Sequence, residues 1–111
     1  MKANTFTEQT YFILLALAAE SLHGYGIIKK VEVLSDGQIV LAAGTLYGVL
    51  ENLKKTNLIE QMQNQEDTRR KMYRITELGK QTLLKEYTKL QQRCFISKQI
   101  LEKGEWYYVS D

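Results

Sequence analysis

Proline is absent from this 111-residue sequence. No low-complexity tract or internal repeat accompanies that absence, so nothing in the chain reads as a flexible linker between domains. Cysteine is nearly absent: Cys94 alone cannot close an intrachain disulfide, which fits a reducing interior and leaves only an intermolecular bond open. The one histidine, His23, sits in the glycine-flanked stretch SLHGYG, far along the chain from Cys94. It reads as a capping or turn residue. No pair of ligands at metal spacing, no phosphate-cradling loop and no nucleophile beside an evident base occurs, so neither catalysis nor a metal or cofactor is expected. Long apolar runs are missing too. Residues 10–19 form the only strongly apolar stretch, too short to cross a bilayer, and the N-terminus lacks the pattern of a secretory signal. A cytoplasmic protein without a membrane partner is expected. Finally, charge of one sign is missing: 15 Lys and Arg against 13 Asp and Glu leave a formal +2. Any affinity for nucleic acid must therefore come from locally arranged side chains.

What is present suffices for one domain, which at this length buries roughly 60 to 70% of its unfolded surface. Its organising stretch is AGTLYGVLENLKKTNLI, residues 43–59. Leu46, Val49, Leu50 and Leu53 follow the i, i+3, i+4, i+7 spacing of a helix with one apolar stripe, and Leu58 and Ile59 close the run. A rotation of 100° per residue puts Thr45, Gly48, Asn52 and Lys55 on the far side and Tyr47, Glu51 and Lys54 on the flank. That far face is slim and polar. It suits a helix entering the DNA major groove, where small residues allow close approach and hydroxyl and amide groups reach base edges. An ordinary solvated face has the same pattern, so the surrounding elements must decide.

In chain order, residues 1–5 read as a polar arm, and Thr5 or Thr7 caps a first helix from about residue 7 to 20, with Glu8 in its first turn. That helix is apolar almost all round and belongs at the centre. A second helix follows from about residue 25 to 34, with Ile27, Ile28, Val31 and Leu34 inward and Lys29 and Lys30 outward; Ser35, Asp36 and Gly37 end it. Ile39, Val40 and Leu41 suggest a brief strand. After the organising helix, residues 59–63 and 71–75 read as strands joined by a polar turn at 64–68. Thr76 then caps a long helix from about residue 77 to 101. The order is helix, helix, strand, helix, strand, strand, helix, which is mainly α with a small β wing: a winged helix-turn-helix plus a long C-terminal dimerisation helix. The boundaries are residues 1–75 for the DNA-binding domain, 76–102 for the dimerisation helix and 103–111 for an aromatic tail.

Arg69, Arg70, Lys71 and Arg74 gather at the return of the hairpin, where such side chains bind phosphate and set register, with Glu66 and Asp67 weakening the field locally. On the last helix Leu83, Tyr87, Leu90, Cys94 and Leu101 follow a 4, 3, 4 and 7 spacing, flanked by Leu84, Phe95, Ile96 and Ile100. A terminal helix this apolar needs a partner surface, either a second copy of the chain or helix one, and both can be met together. Trp106, Tyr107, Tyr108 and Val109 form an aromatic cluster that a disordered tail would not ordinarily carry.

Three motifs, HGYGI at residues 23–27, GTLYGVLENL at 44–53 and TRRKMYRITELG at 68–79, together resemble the PadR family of bacterial transcriptional regulators, in its short single-domain members. The resemblance implies a homodimeric repressor on a double-stranded operator of approximate two-fold symmetry. It implies that Thr45, Tyr47 and Gly48 approach the groove, that Arg69, Arg70 and Lys71 meet phosphates, and that Tyr25 at the start of helix two meets another. Glu51 and Asn52 stand where relatives often carry basic residues, which lowers phosphate affinity, while Asn52 suits an adenine edge. Some short relatives hold flat hydrophobic compounds between the dimer halves on an aromatic residue of the last helix. Leu90 takes that place here, so a site for a small hydrophobic effector would have another shape, lined by Tyr87, Leu90, Phe95 and Trp106, unless the stripe is simply core. The rival reading is a winged-helix protein-interaction module without specific DNA binding, which would have no use for Arg69, Arg70 and Lys71 beside a slim polar helix.

Overall fold

The computed structural model describes residues 6–62, 71–104 and Tyr107. The polar arm at 1–5, the turn at 64–68, Arg69, Arg70 and, of the aromatic tail, Trp106 and residues 105 and 108–111 lie outside the described residues. The elements run α1 (Glu8–Ala19), β1 (Leu22–His23), α2 (Gly24–Leu34), α3 (Ala43–Lys55), β2 (Ile59–Met62), β3 (Met72–Ile75) and α4 (Glu77–Leu101). The strands form one antiparallel sheet in the order β1-β3-β2.

Helix α1 begins where the Thr7 side chain accepts a hydrogen bond from the Thr10 N–H at 3.1 Å, with Glu8 in the first turn against the positive end of the helix dipole. Ile13, Leu14, Ala16 and Leu17 are buried at its centre, where α2, α4 and β3 pack on it. From α2 come Ile27 and Val31; from α3, Leu46, Leu50 and Leu53; from the sheet, Ile59, Tyr73 and Ile75. The stripe expected on α3 is thus the side it buries, with Val49 and Leu58 half-buried at its margin.

Two expectations on this side of the molecule are corrected. The third strand is not at residues 39–41 but at Leu22–His23, which pairs with β3 through Leu22 to Tyr73 and His23 to Met72. Ile39 and Leu41 do point inward and Val40 outward, so the alternation is real. Pairing is a tertiary matter, however, and β1 already occupies the edge of β3 that β2 leaves open. The Ile39 N–H instead donates to the buried Ser35 Oγ at 3.0 Å. The other correction is Leu34, which is 40% exposed rather than inward, because α2 ends there in the Ser35–Asp36–Gly37 turn with positive φ at Asp36 and Gly37.

The junction between α3 and α4 is the tightest part of the fold. Asn57, at φ 63°, stops α3, and the Leu58 N–H returns to the Leu53 carbonyl at 2.9 Å. Thr76 then binds this turn twice, its N–H donating to the Leu58 carbonyl at 3.0 Å and its hydroxyl to the Asn57 carbonyl at 2.7 Å. The same hydroxyl caps α4 by accepting from the Gly79 N–H at 3.0 Å. Gly79 sits so close that a Cβ there would fall on the Leu58 carbonyl oxygen. Helix α4 leaves from this point for 25 residues, and beyond Leu83 none of its residues is buried.

Gly79→Ala therefore has to displace backbone and should lower unfolding free energy by about 2 to 4 kcal/mol in urea titration. Gly48→Ala, at a site where a Cβ meets nothing within 4 Å, should instead raise it by about 0.5 to 1 kcal/mol through better helix propensity.

Candidate nucleic-acid interface

The candidate interface is built on the outer side of α3. Thr45, Gly48, Asn52 and Lys55 are all exposed, as the helical rotation requires. Gly44 and Gly48, one turn apart, have only open space where a side chain would stand. Gly44 was not singled out from sequence, although the i, i+4 spacing of the two glycines carries the signal. The surface is a shallow strip bordered by a hydroxyl, an amide and an ammonium, and it lets another molecule approach the helix backbone.

Its flanks are tied down. Lys54 is held between Glu51 at 3.2 Å and the Gln61 side-chain oxygen at 3.1 Å, which joins α3 to the wing strand β2 and neutralises the Glu51 carboxylate. Arg74 pairs with Glu60 directly across the β2–β3 ladder, so of the basic cluster it is committed within the protein. Lys71 is exposed just before β3, while Arg69 and Arg70 lie outside the described residues.

Helix α2 lies alongside. The His23 Nδ1 accepts from the Gly26 N–H at 3.0 Å, which gives the histidine the capping role expected of it. Tyr25 is exposed on the first turn, with the Lys29 ammonium 5.8 Å from its ring centroid. Tyr47 is half-exposed, yet its ring rests on α2: a Cβ on Gly24 would stand 3.0 Å from the Tyr47 Cζ and would strike the hydroxyl. Sequence reasoning did not connect these two residues.

The candidate dimer seam and ligand pocket fare differently. Tyr87, Leu90, Cys94 and Leu101 are exposed, and Leu84, Phe95, Ile96 and Ile100 widen the apolar surface. Leu83 belongs instead to the domain's own core at 8% exposure, because α4 packs on α1 over its first turns. Of the pocket residues, Trp106 lies outside the described residues, and Tyr87, Leu90 and Phe95 line different hollows of the one chain. Leu90 lines a cleft of about 360 Å³ with Phe6, Tyr11, Phe12 and Arg93. Tyr87 lines another of about 290 Å³ with Tyr11, Leu15 and Leu84. Phe95, five residues after Leu90 and hence about 140° round the helix, faces a separate hollow beside Thr88, Gln92 and Ile96. Among the described residues no cluster of His, Cys, Asp and Glu has the makings of a metal site.

An exposed slim helix held against a second helix, beside a β-hairpin and on a helical core, defines a winged helix-turn-helix protein of the DNA-binding regulator class. Residues 13–85 match the model of the transcriptional regulator PadR-like family, and the chain belongs to that family. A PadR family transcription regulator from Clostridium difficile is 26% identical, with 86% of this chain and 99% of that one covered at a TM-score of 0.71. A transcriptional regulator from Clostridium thermocellum is 29% identical over 85% of this chain and 89% of that one, with a TM-score of 0.61. RosR of H. salinarum, at 23% identity, 83% and 80% coverage and a TM-score of 0.68, shares the fold. None of the curated proteins matches the chain. The family consists of transcription regulators rather than enzymes.

Two phenols report on the packing. Burial raises the Tyr73 hydroxyl above its ordinary value of 10.0, and the nearby Tyr47 and Glu51 push in the same direction. Burial likewise raises Tyr11, with Tyr87 and Glu86 adding to it. Because the folded values lie higher, the unfolded chain ionises first, so their stabilisation is intact below about pH 10 and is lost as pH rises beyond it. Urea midpoints should fall between about pH 9.5 and 11, and Tyr73→Phe should make that fall shallower.

Proposed function

We propose that this chain is a homodimeric repressor that binds a double-stranded operator of approximate two-fold symmetry. The open, small-residue face of α3, set on a regulator fold, is the observation that carries the reading. Thr45, Gly48 and Asn52 lie in the groove and select bases, Asn52 through the two-pronged amide that suits adenine. Lys55, Lys71, Arg69 and Arg70 neutralise phosphates, and the hydroxyl of Tyr25 binds another by hydrogen bonding.

The exposed apolar residues of α4 support pairing with a second copy. Tyr87, Leu90, Cys94 and Leu101 lie within one face of the helix, and covering such a face removes apolar area worth roughly 25 cal/mol per Å². Residues 76–102 thus serve as the dimerisation helix and residues 1–75 as the DNA-binding domain. A small hydrophobic effector, or another signal, relieves repression by favouring a different spacing of the two α3 helices. The apolar cleft beside Tyr87, about 290 Å³, is close to the lower end of small-molecule sites, roughly 300 Å³. A cytoplasmic location belongs to the same proposal; no described helix is long and apolar enough to cross a membrane.

The deciding experiment is a gel-shift titration on DNA just upstream of the chain's own reading frame, against scrambled competitor, followed by selection from random duplexes if that site is silent. A salt-sensitive complex that survives competitor is expected. Replacing Arg69, Arg70 and Lys71 with alanine should lower affinity and make the dependence of log K on log salt shallower by about 0.9 for each phosphate that is no longer neutralised. Failure to select any sequence would sink the reading.

For the dimer, Leu90→Asp should weaken association by more than about tenfold in sedimentation, while the domain stays folded because the position is already half-exposed. A monomeric parent protein would contradict the assembly.

A further inference from the structure

Helices α2 and α3 pack on each other, and Ile27 and Val31 of the one and Leu46 and Leu50 of the other are buried in the same core. These residues set distance, and apolar contacts, being non-directional, do not by themselves fix the rotation of one helix over the other. Tyr47 lies outside this layer, 48% exposed, and yet it reaches across to the first residue of α2. Its ring edge covers the Gly24 backbone, with the ring carbons Cζ and Cε1 at 3.0 and 3.3 Å from where a Cβ would be. Gly24 directly follows β1, whose Leu22 is paired with Tyr73 of the wing strand β3, and Tyr47 is close enough to the Tyr73 phenol to add to the rise that burial gives its pKa. One side chain of α3 therefore meets the start of α2 and stands beside the wing.

On the DNA-binding reading above, we propose that Tyr47 is a positioning residue for operator recognition. Its ring, seated on the Gly24 backbone, sets the rotation of α3 against α2 and the wing, and so decides where Thr45, Gly48 and Asn52 meet the base edges. Gly24 is the other half of the device, since only a residue without a side chain leaves the seat open. Tyr47 acts through the placement of other residues rather than as a groove contact, which sets it apart from Thr45 and Gly48.

Gly24→Ala tests this, because the new methyl meets the free end of a side chain rather than backbone. The ring swings away and the domain stays folded, with its melting temperature within a few degrees of the parent. In ¹⁵N-labelled full-length protein the amide resonances of Gly44 and Gly48 should shift. Operator affinity should fall by about tenfold, while affinity and salt slope on scrambled duplex stay as they were. Tyr47→Phe alone keeps the ring and should remain within about twofold of the parent. Combined with Gly24→Ala, it removes the atom nearest the methyl and should recover part of the loss, a non-additivity that independent sites do not show.

Unmoved Gly44 and Gly48 resonances in Gly24→Ala overturn the inference, as does movement without loss of operator affinity. A Tyr47→Phe protein that loses as much as Gly24→Ala, with a shallower salt slope, shows a direct phosphate contact by the hydroxyl and overturns it as well. If the parent protein selects no duplex, the function reading fails and this inference falls with it; if the parent binds and the variants bind equally, only this inference fails.

Discussion

The contact between Gly79 and the Leu58 carbonyl is the constraint on which the molecule's two halves depend. No side chain fits between α4 and the turn that ends α3, and Thr76 closes the gap with hydrogen bonds to the carbonyls of Asn57 and Leu58. Asn57 supplies the left-handed residue that turns the chain, and the Thr76 hydroxyl also begins α4. The end of the candidate recognition helix and the start of the candidate dimer helix thus move as one piece. On the proposed dimer along α4, this junction would carry a change in the crossing of the two long helices to the spacing of the two α3 faces. Half-sites roughly 34 to 36 Å apart leave little tolerance for such a change.

Charge is arranged to hold elements together more than to project a field. Lys30 pairs with Glu20, Lys54 with Glu51, Arg74 with Glu60 and Lys89 with Glu86, all at or near the surface. Such pairs add little stability individually. Their effect is to neutralise much of the described surface, while Lys55 at the border of the slim α3 strip and Lys71 just before β3 stand exposed. On the proposed reading, recognition rests on shape at the α3 surface, where glycines leave open space, more than on long-range attraction.

Local signals were legible. The four helices, the Thr7, His23 and Thr76 caps and the buried side of α3 follow from periodicity and capping chemistry, which act within a few residues of the chain. Residues 39–41 show the limit: their alternation reports which side faces the core, but not whether a strand edge is available, and β1 had taken that edge. Leu83 shows it again, since one apolar stripe on α4 continues from a surface buried against α1 to one that is exposed. Nothing in the spacing marks where the change falls.

The sequence by itself determined the four helices, the buried side of α3 and the slim polar character of its outer side, because each depends on neighbours three or four residues away. Tertiary structure alone decided that Leu22–His23 completes the sheet, that Gly79 is pressed on the Leu58 carbonyl, that the Tyr47 ring sits on Gly24, and that Leu90 and Phe95 face different hollows. Those contacts join residues distant along the chain, and their geometry exists only after the core has set how far apart the helices stand.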